Sequence, residues 1–323
     1  MTATAHLVQA EAIAARAGAL LSGERIVWRE ALDGGPSSGA PGSGEWLDAR
    51  AAHLTSRIGV EEEGGEEPYD WAHCRAALAG QEAALDRVAS TASELVMWLG
   101  NDLVCLLHEL YWLARWQELA PAGRLLRVAP PEDEARCLME KGEALAARFA
   151  AREEVAPSEV AASARAFAAF AAPDASHLDE FLADPATGRA GRALALHRER
   201  FPALGSGLGR IEEAALAAVG GGATMVELLP AVNAALPGFC VTDVQLWITL
   251  RRLADPGCPL VEIAGGPWLR ARVSLTALAA EVMAGRRDFA AECQATAWLG
   301  GVELGAGLPG WRLDRARGAL VVV

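Results

Sequence analysis

The sequence predicts an α/β fold: a small parallel-sheet N-terminal domain, a helical bridge, and a C-terminal winged helix-turn-helix. Three observations carry this. Residues 95–99 are five apolar residues in a row, the pattern of a strand buried on both faces. Gly100, Asn101 and Asp102 then break the run, and a strongly apolar helix follows as far as Trp116. That is the strand–turn–helix unit of an open α/β sheet, whose ligands sit at such turns. Beyond Gly207 the pattern becomes three helices, two strands about a Gly-Gly-Pro turn, and another helix, the order of a winged helix-turn-helix.

Along the chain, His6-Leu-Val is a short strand, residues 11–21 an amphipathic helix, and residues 25–29 a second strand. This spacing implies parallel strands joined by a helix. Residues 33–44 are a loop by their Gly, Pro and Ser content. A helix at 45–58, an acidic, Gly-broken turn at 61–67 and a long helix at 70–90 lead into the central strand. Residues 123–128 are a fourth strand, closed by Pro130 and Pro131. The strands near 25–29 and 95–99 are expected to be adjacent and parallel. Residues 132–197 read as helical, punctuated by Pro157, Pro173 and Pro185. In the last part, Gly220, Gly221 and Gly222 stop a helix at 210–219, and Thr224 with Glu227 forms a capping box for the next. Thr242 caps 243–254, the second helix of the helix-turn-helix. Strands at 259–264 and 268–275, a helix capped by Thr276 and further short strands complete the chain. The expected domains are 1–130, 131–203 and 204–323.

Composition bounds the function. A chain of 323 residues is long for one core. The net charge of -13 argues against a general binder of nucleic acid or anionic membrane. Lys141 is the only lysine, which removes any P-loop. Six scattered cysteines without Cys-x-x-Cys spacing argue against a zinc ribbon or redox dithiol. The start lacks a basic n-region and the apolar helix at 103–116 is too short to span a bilayer. A reduced, cytoplasmic protein is expected.

Three strand ends deliver polar groups to one edge of a parallel sheet. Gln9 and Glu11 follow the first strand, Arg29 and Glu30 end the second, and Asn101 and Asp102 follow the third. These six residues are the candidate site for a polar or anionic small molecule. Arg29 can fork onto a carboxylate or phosphate, and Asp102 or Glu30 can move a proton. The purely structural alternative pairs Arg29 with Asp102 and uses Asp102 as a helix cap. Asp102, Cys105, His108 and Glu109 lie at helical spacing, but successive steps drift around the helix, so no metal site is assigned. Gly42-Ser-Gly44 precedes a helix as a phosphate loop does, yet Glu45 and Asp48 in the first turn would repel an anion. Ser206 lacks the preceding apolar strand of a nucleophile elbow. Trp98, Trp112 and Trp116 read as core. On the winged helix, Gln245, Thr249, Arg251 and Arg252 with Arg270 and Arg272 make a local basic stripe. From Gly221 onward, however, nine Arg balance nine Asp or Glu, so nucleic-acid binding is expected to be weak. Contact with a protein partner or a second copy is expected at least equally.

Several segments give the chain a resemblance to the uncharacterised bacterial domain-of-unknown-function family eighteen-thirty-five. They are Trp28-Arg-Glu-Ala-Leu-Asp-Gly-Gly-Pro36, Trp98-Leu-Gly-Asn-Asp-Leu103 and Trp298-Leu-Gly-Gly301. Phe201-Pro202, Gly207-Leu-Gly-Arg210, Leu275-Thr276, Gly285 and Trp311-Arg-Leu-Asp314 are further landmarks. The likeness spans nearly the whole length and implies a layout, not an activity. The family's opening His-Val-x-x-Gly-Asp-Ser reads here His6-Leu-Val-Gln-Ala-Glu11. Asn101 stands where His is usual, and Gly34 where Glu or His is common. Any family chemistry resting on those groups is therefore altered in this chain. The function expected is a ligand-binding or regulatory protein, its winged helix contacting protein or DNA. The alternative is a hydrolase or transferase acting on a small anionic or nucleotide-like substrate, with cofactors unknown.

Overall fold

The computed structural model describes residues 4–58, 70–131, 134, 136, 138–265, 267–293, 296–305 and 307–323. The acidic segment expected to turn at 61–67 lies outside them. The chain begins with β1 (Thr4–Gln9), α1 (Glu11–Ala17), β2 (Glu24–Trp28), α2 (Gly44–Ile58), α3 (Trp71–Thr91), β3 (Glu94–Trp98), α4 (Leu103–Leu119) and β4 (Arg124–Val128). Strands β1 to β4 are parallel. They stand in the order β2-β1-β3-β4, with β5 (Glu153–Glu154) antiparallel at the edge.

The strands at 24–28 and 94–98 share the sheet but are not neighbours, because β1 lies between them and pairs with both. Its four inner residues are all buried, so this short strand takes the centre. From β1 the chain passes to β2 on one side, and from β2 it crosses back past β1 to β3 and on to β4 on the other. That makes a topological switch point between the turns after β1 and β3.

The apolar run in β3 is explained by burial on two faces. Leu95 and Met97 enter a large core shared with α3 and α4, while Val96 and Trp98 enter a smaller one with Val8, Ile13 and Leu145. Side chains alternate along a strand, so a strand covered on both sides has no polar positions. Helix α4 is buried along almost its whole length, its many apolar residues together with His108, Glu109 and Arg115. Trp98, Trp112 and Trp116 are all core.

The next part holds α5 (Gly142–Ala150), β5, α6 (Pro157–Ala171), α7 (Ser176–Leu182) and α8 (Gly188–Arg198). Helices α6 and α8 pack on α4. The fifth strand thus comes from the segment expected to be only a helical bridge. The remaining elements are α9 (Arg210–Val219), β6 (Ala223–Thr224), α10 (Met225–Ala235), α11 (Asp243–Leu253), β7 (Val261–Ala264), β8 (Arg272–Leu275), α12 (Ala277–Met283) and α13 (Phe289–Glu292). Two hairpins follow, β9 (Ala297–Leu299) with β10 (Val302–Leu304), and β11 (Trp311–Asp314) with β12 (Ala319–Val322). Strands β6, β8 and β7 make an antiparallel sheet with β8 in the middle. The caps act as their residue types demand. Asp102 and Thr242 accept from the third backbone N–H of their helices, and Glu227 accepts from Thr224 N–H at 2.8 Å.

Among the described residues no helix is long and apolar enough to cross a membrane. Cys74, Cys105, Cys258 and Cys293 are free thiols, but Cys240 is disulfide-bonded. Spacing alone does not reveal that bond, and it fits a reducing compartment poorly.

Candidate functional site

The turns after β1 and β3 do meet at the switch point. The Cys105 thiol donates to Gln9 Oε1 at 3.6 Å across it. Asp102 caps α4 through Oδ1, which accepts from Cys105 N–H at 3.0 Å. Its second oxygen, buried, has no hydrogen bond, and burial pushes its carboxyl up from the ordinary value. Burial, with the Asp102 carboxylate beside it, also raises the Cys105 thiol well above its usual range, the opposite of an activated nucleophile.

The six residues expected to share one site occupy different surroundings. Arg29 pairs with Glu11 on the surface, not with Asp102. Glu30 is buried against Arg50, whose Nη2 donates to it at 2.6 Å. Asn101 is fully buried. Its amide nitrogen donates to the carbonyls of Pro130, Pro131 and Glu134, and its oxygen accepts from Arg189. The edge is also covered from outside, since Leu103 N–H donates to Gly238 O at 2.6 Å. The reason is long-range docking. Arg189 of α8 forks onto Glu109 of α4 at 2.6 and 2.8 Å, and Arg127 meets the same carboxylate at 2.8 Å. This ion cluster seats α8 on the sheet's carboxyl side and draws Asn101 into its support. Burial alone would raise Glu109, yet the two guanidiniums hold its carboxyl below the ordinary value.

The expected basic stripe is divided in the same way. Gln245 is buried, and Arg252 pairs with Glu212 and lies 5.3 Å from the Phe289 ring. Arg251, Arg270 and Arg272 are exposed. The polar face of α11 therefore turns toward the α/β unit, and Gln245 and Arg252 are not presented on one outer surface with the other three.

What that face borders is a cleft of about 700 Å³. One wall is the loop at 33–36 with Ala49, Ala52 and His53 of α2. The other is built by Arg200, by Gln245, Ile248, Thr249 and Arg252 of α11, and by Trp298 and Leu299 of β9. The loop at 33–36 reads as a mere connection from composition, yet it is firmly held. Arg50, with no exposed surface, donates through Nη1 to Gly34 O at 2.6 Å and Pro36 O at 3.1 Å, and through Nη2 to Ala31 O at 2.9 Å. Gly35 has φ +77°, and a Cβ there would fall 2.2 Å from the His53 ring, so only glycine fits. Ser37 N–H reaches Gly300 O at 2.9 Å and ties the loop to the turn after β9. Three segments singled out in the sequence, 28–36, 201–210 and 298–301, thus meet around this one cleft. The sequence signal was there in Asp33-Gly-Gly-Pro36, but nothing local says that α2, α11 and β9 gather about it.

Two histidines are buried beside these elements. His108 on α4 has no hydrogen bond at either ring nitrogen, and burial lowers it to about 4 against the opposing pull of Glu30 and Asp33. His197, between Phe170 and Phe201, is lowered well below its ordinary value by burial and by Arg200. His108 and Glu109 face different surroundings, and among the described residues no group of three or more His, Cys, Asp or Glu is placed to hold a metal ion. Comparison of the chain with protein-family models and with curated proteins finds no match to either.

Proposed function

We propose that this is a ligand-binding regulatory protein whose small polar ligand sits in the cleft between the α/β unit and α11. One observation carries the reading: the 700 Å³ cleft has walls from both parts of the chain, with charged and apolar groups together. Ligand sites are concave, largely apolar, and carry a few placed polar groups. A molecule bridging two walls stabilises their closed arrangement, and so couples ligand level to the position of the C-terminal unit. We read that unit, with the order α9-β6-α10-α11-β7-β8, as a winged helix-turn-helix. With Gln245 and Arg252 turned inward, it contacts protein in preference to DNA.

The test is native mass spectrometry of freshly purified protein beside an Ala52→Trp variant. Ala52 is exposed on α2 at the cleft, so an indole there fills space without disturbing the core. A small-molecule adduct on wild type that the variant lacks is the expected result. No adduct, together with identical thermal shifts of the two proteins across a metabolite library, sinks the reading.

A further inference from the structure

We infer that the cleft takes a small organic amine, its cationic N–H group set on the Asp33 carboxylate and its apolar body on Ile211, Ile248 and Leu299. This rests on the cleft being the ligand site. Asp33 lines the cleft and is only 4% exposed. Among the described residues, none donates a hydrogen bond to its carboxylate or forms an ion pair with it. Neither of its oxygens is among the fully enclosed polar atoms that lack a partner, so the carboxylate opens into the cleft, where a ligand can reach it.

The groups nearest in the fold do not supply it. Arg50, beneath the same loop, directs its two Nη groups to Glu30 and to the carbonyls of Ala31, Gly34 and Pro36. His108, electrostatically coupled to Asp33, stays neutral near pH 7 because burial disfavours its cation. Glu212, the other carboxylate on the cleft, is fully committed: one oxygen takes Gly209 N–H at 2.8 Å and the other takes Arg252. Asp33 is thus the one of the two that remains for a ligand cation. The Arg50 cage fixes the loop that carries it, so the carboxylate is placed before any ligand arrives. Arg200 and Arg252 on the opposite wall disfavour a second cationic group there. The net charge of -13 draws amines toward the protein and repels anions.

Three probes of nearly one shape test this by titration calorimetry on the full chain at pH 7: phenethylamine, phenethyl alcohol and phenylacetate. In wild type the amine should bind at least about tenfold tighter than the alcohol, with phenylacetate weakest. Asp33→Asn should erase the preference, and Ala52→Trp should weaken binding of the amine. An alcohol or acid that binds as tightly as the amine overturns the inference, as does the absence of amine binding up to about 10 mM. The wild-type series decides even where Asp33→Asn does not fold. If Ala52→Trp weakens whichever probe binds but no amine preference exists, the cleft is a ligand site and the amine assignment is wrong. If the amine preference survives Ala52→Trp unchanged, the cleft itself is the wrong place.

Discussion

Glu109→Gln probes the cluster that docks α8 onto the sheet. The wild-type carboxylate is buried and takes N–H groups from both Arg189 and Arg127. The amide keeps the volume and one acceptor oxygen but removes the charge and puts N–H groups against guanidiniums. The two arginines are not equally exposed to the loss. Arg127 retains Glu159, whereas Arg189 retains only the neutral Asn101 oxygen. The stranded cation is therefore Arg189, and breaking one partner of a buried pair costs about 3–5 kcal/mol. Because the glutamine oxygen still accepts from one arginine, about 3 kcal/mol is expected from urea unfolding at pH 7 with an unchanged m value. The double change Glu109→Gln with Arg189→Gln should cost less than the sum of the singles, by at least about 1 kcal/mol. The pH dependence has a definite sign. The folded carboxyl of Glu109 is held below its ordinary 4.5, so its contribution is present above that pH and is lost as pH falls through the depressed value. The gap between wild type and variant should narrow on acidification. A loss under about 1 kcal/mol at pH 7, or additive single changes, would refute the reasoning. By contrast Asp102→Asn, which strands no arginine, should stay within about 1 kcal/mol of wild type.

Ala10 at the end of β1 has φ 73° and ψ 150°, a region that belongs to glycine. Ala10→Gly relieves that strain at some entropic cost, and should raise stability by about 1 kcal/mol in urea unfolding; a destabilised variant would mean the backbone there is not strained. His108 titrates at 6.5 when free and at about 4 when folded, so unfolded chains bind the extra proton between those values and stability falls as pH drops through them. That window is worth about 3 kcal/mol, with about 2 kcal/mol gone by pH 5; His108→Leu should flatten this limb of the stability–pH curve, and an unchanged slope would show the imidazole is not held neutral. Random duplex DNA at physiological salt should bind no tighter than on the order of 10⁻⁴ M by anisotropy titration. Sub-micromolar, steeply salt-dependent binding would show that Arg251, Arg270 and Arg272 suffice as an electrostatic surface.

Much of this molecule was legible along the chain itself. The five consecutive apolar residues at 95–99 announce the burial of β3, the strongly apolar composition of α4 announces its depth, and Asp102, Thr224 and Thr242 mark where helices begin. These signals are local, because periodicity, backbone preference and capping act within a few residues. Only the tertiary structure decided that β1 stands between β2 and β3, since alternative strand orders use the same apolar runs. The charges went the same way. Arg29, Glu30 and Asp102 all look available at strand ends, yet Glu11, Arg50 and the α4 backbone take them up. Asn101 is claimed by Arg189, far along the chain. A charge carries no address, and its partner is whichever opposite group docking brings near. The cleft has the same origin. Its walls come from the 33–36 loop, α2, α11 and β9, and a concavity between packed elements has no pattern in any one of them. The chain's local chemistry set its elements and their faces, and long-range packing set which polar groups were left to meet a ligand.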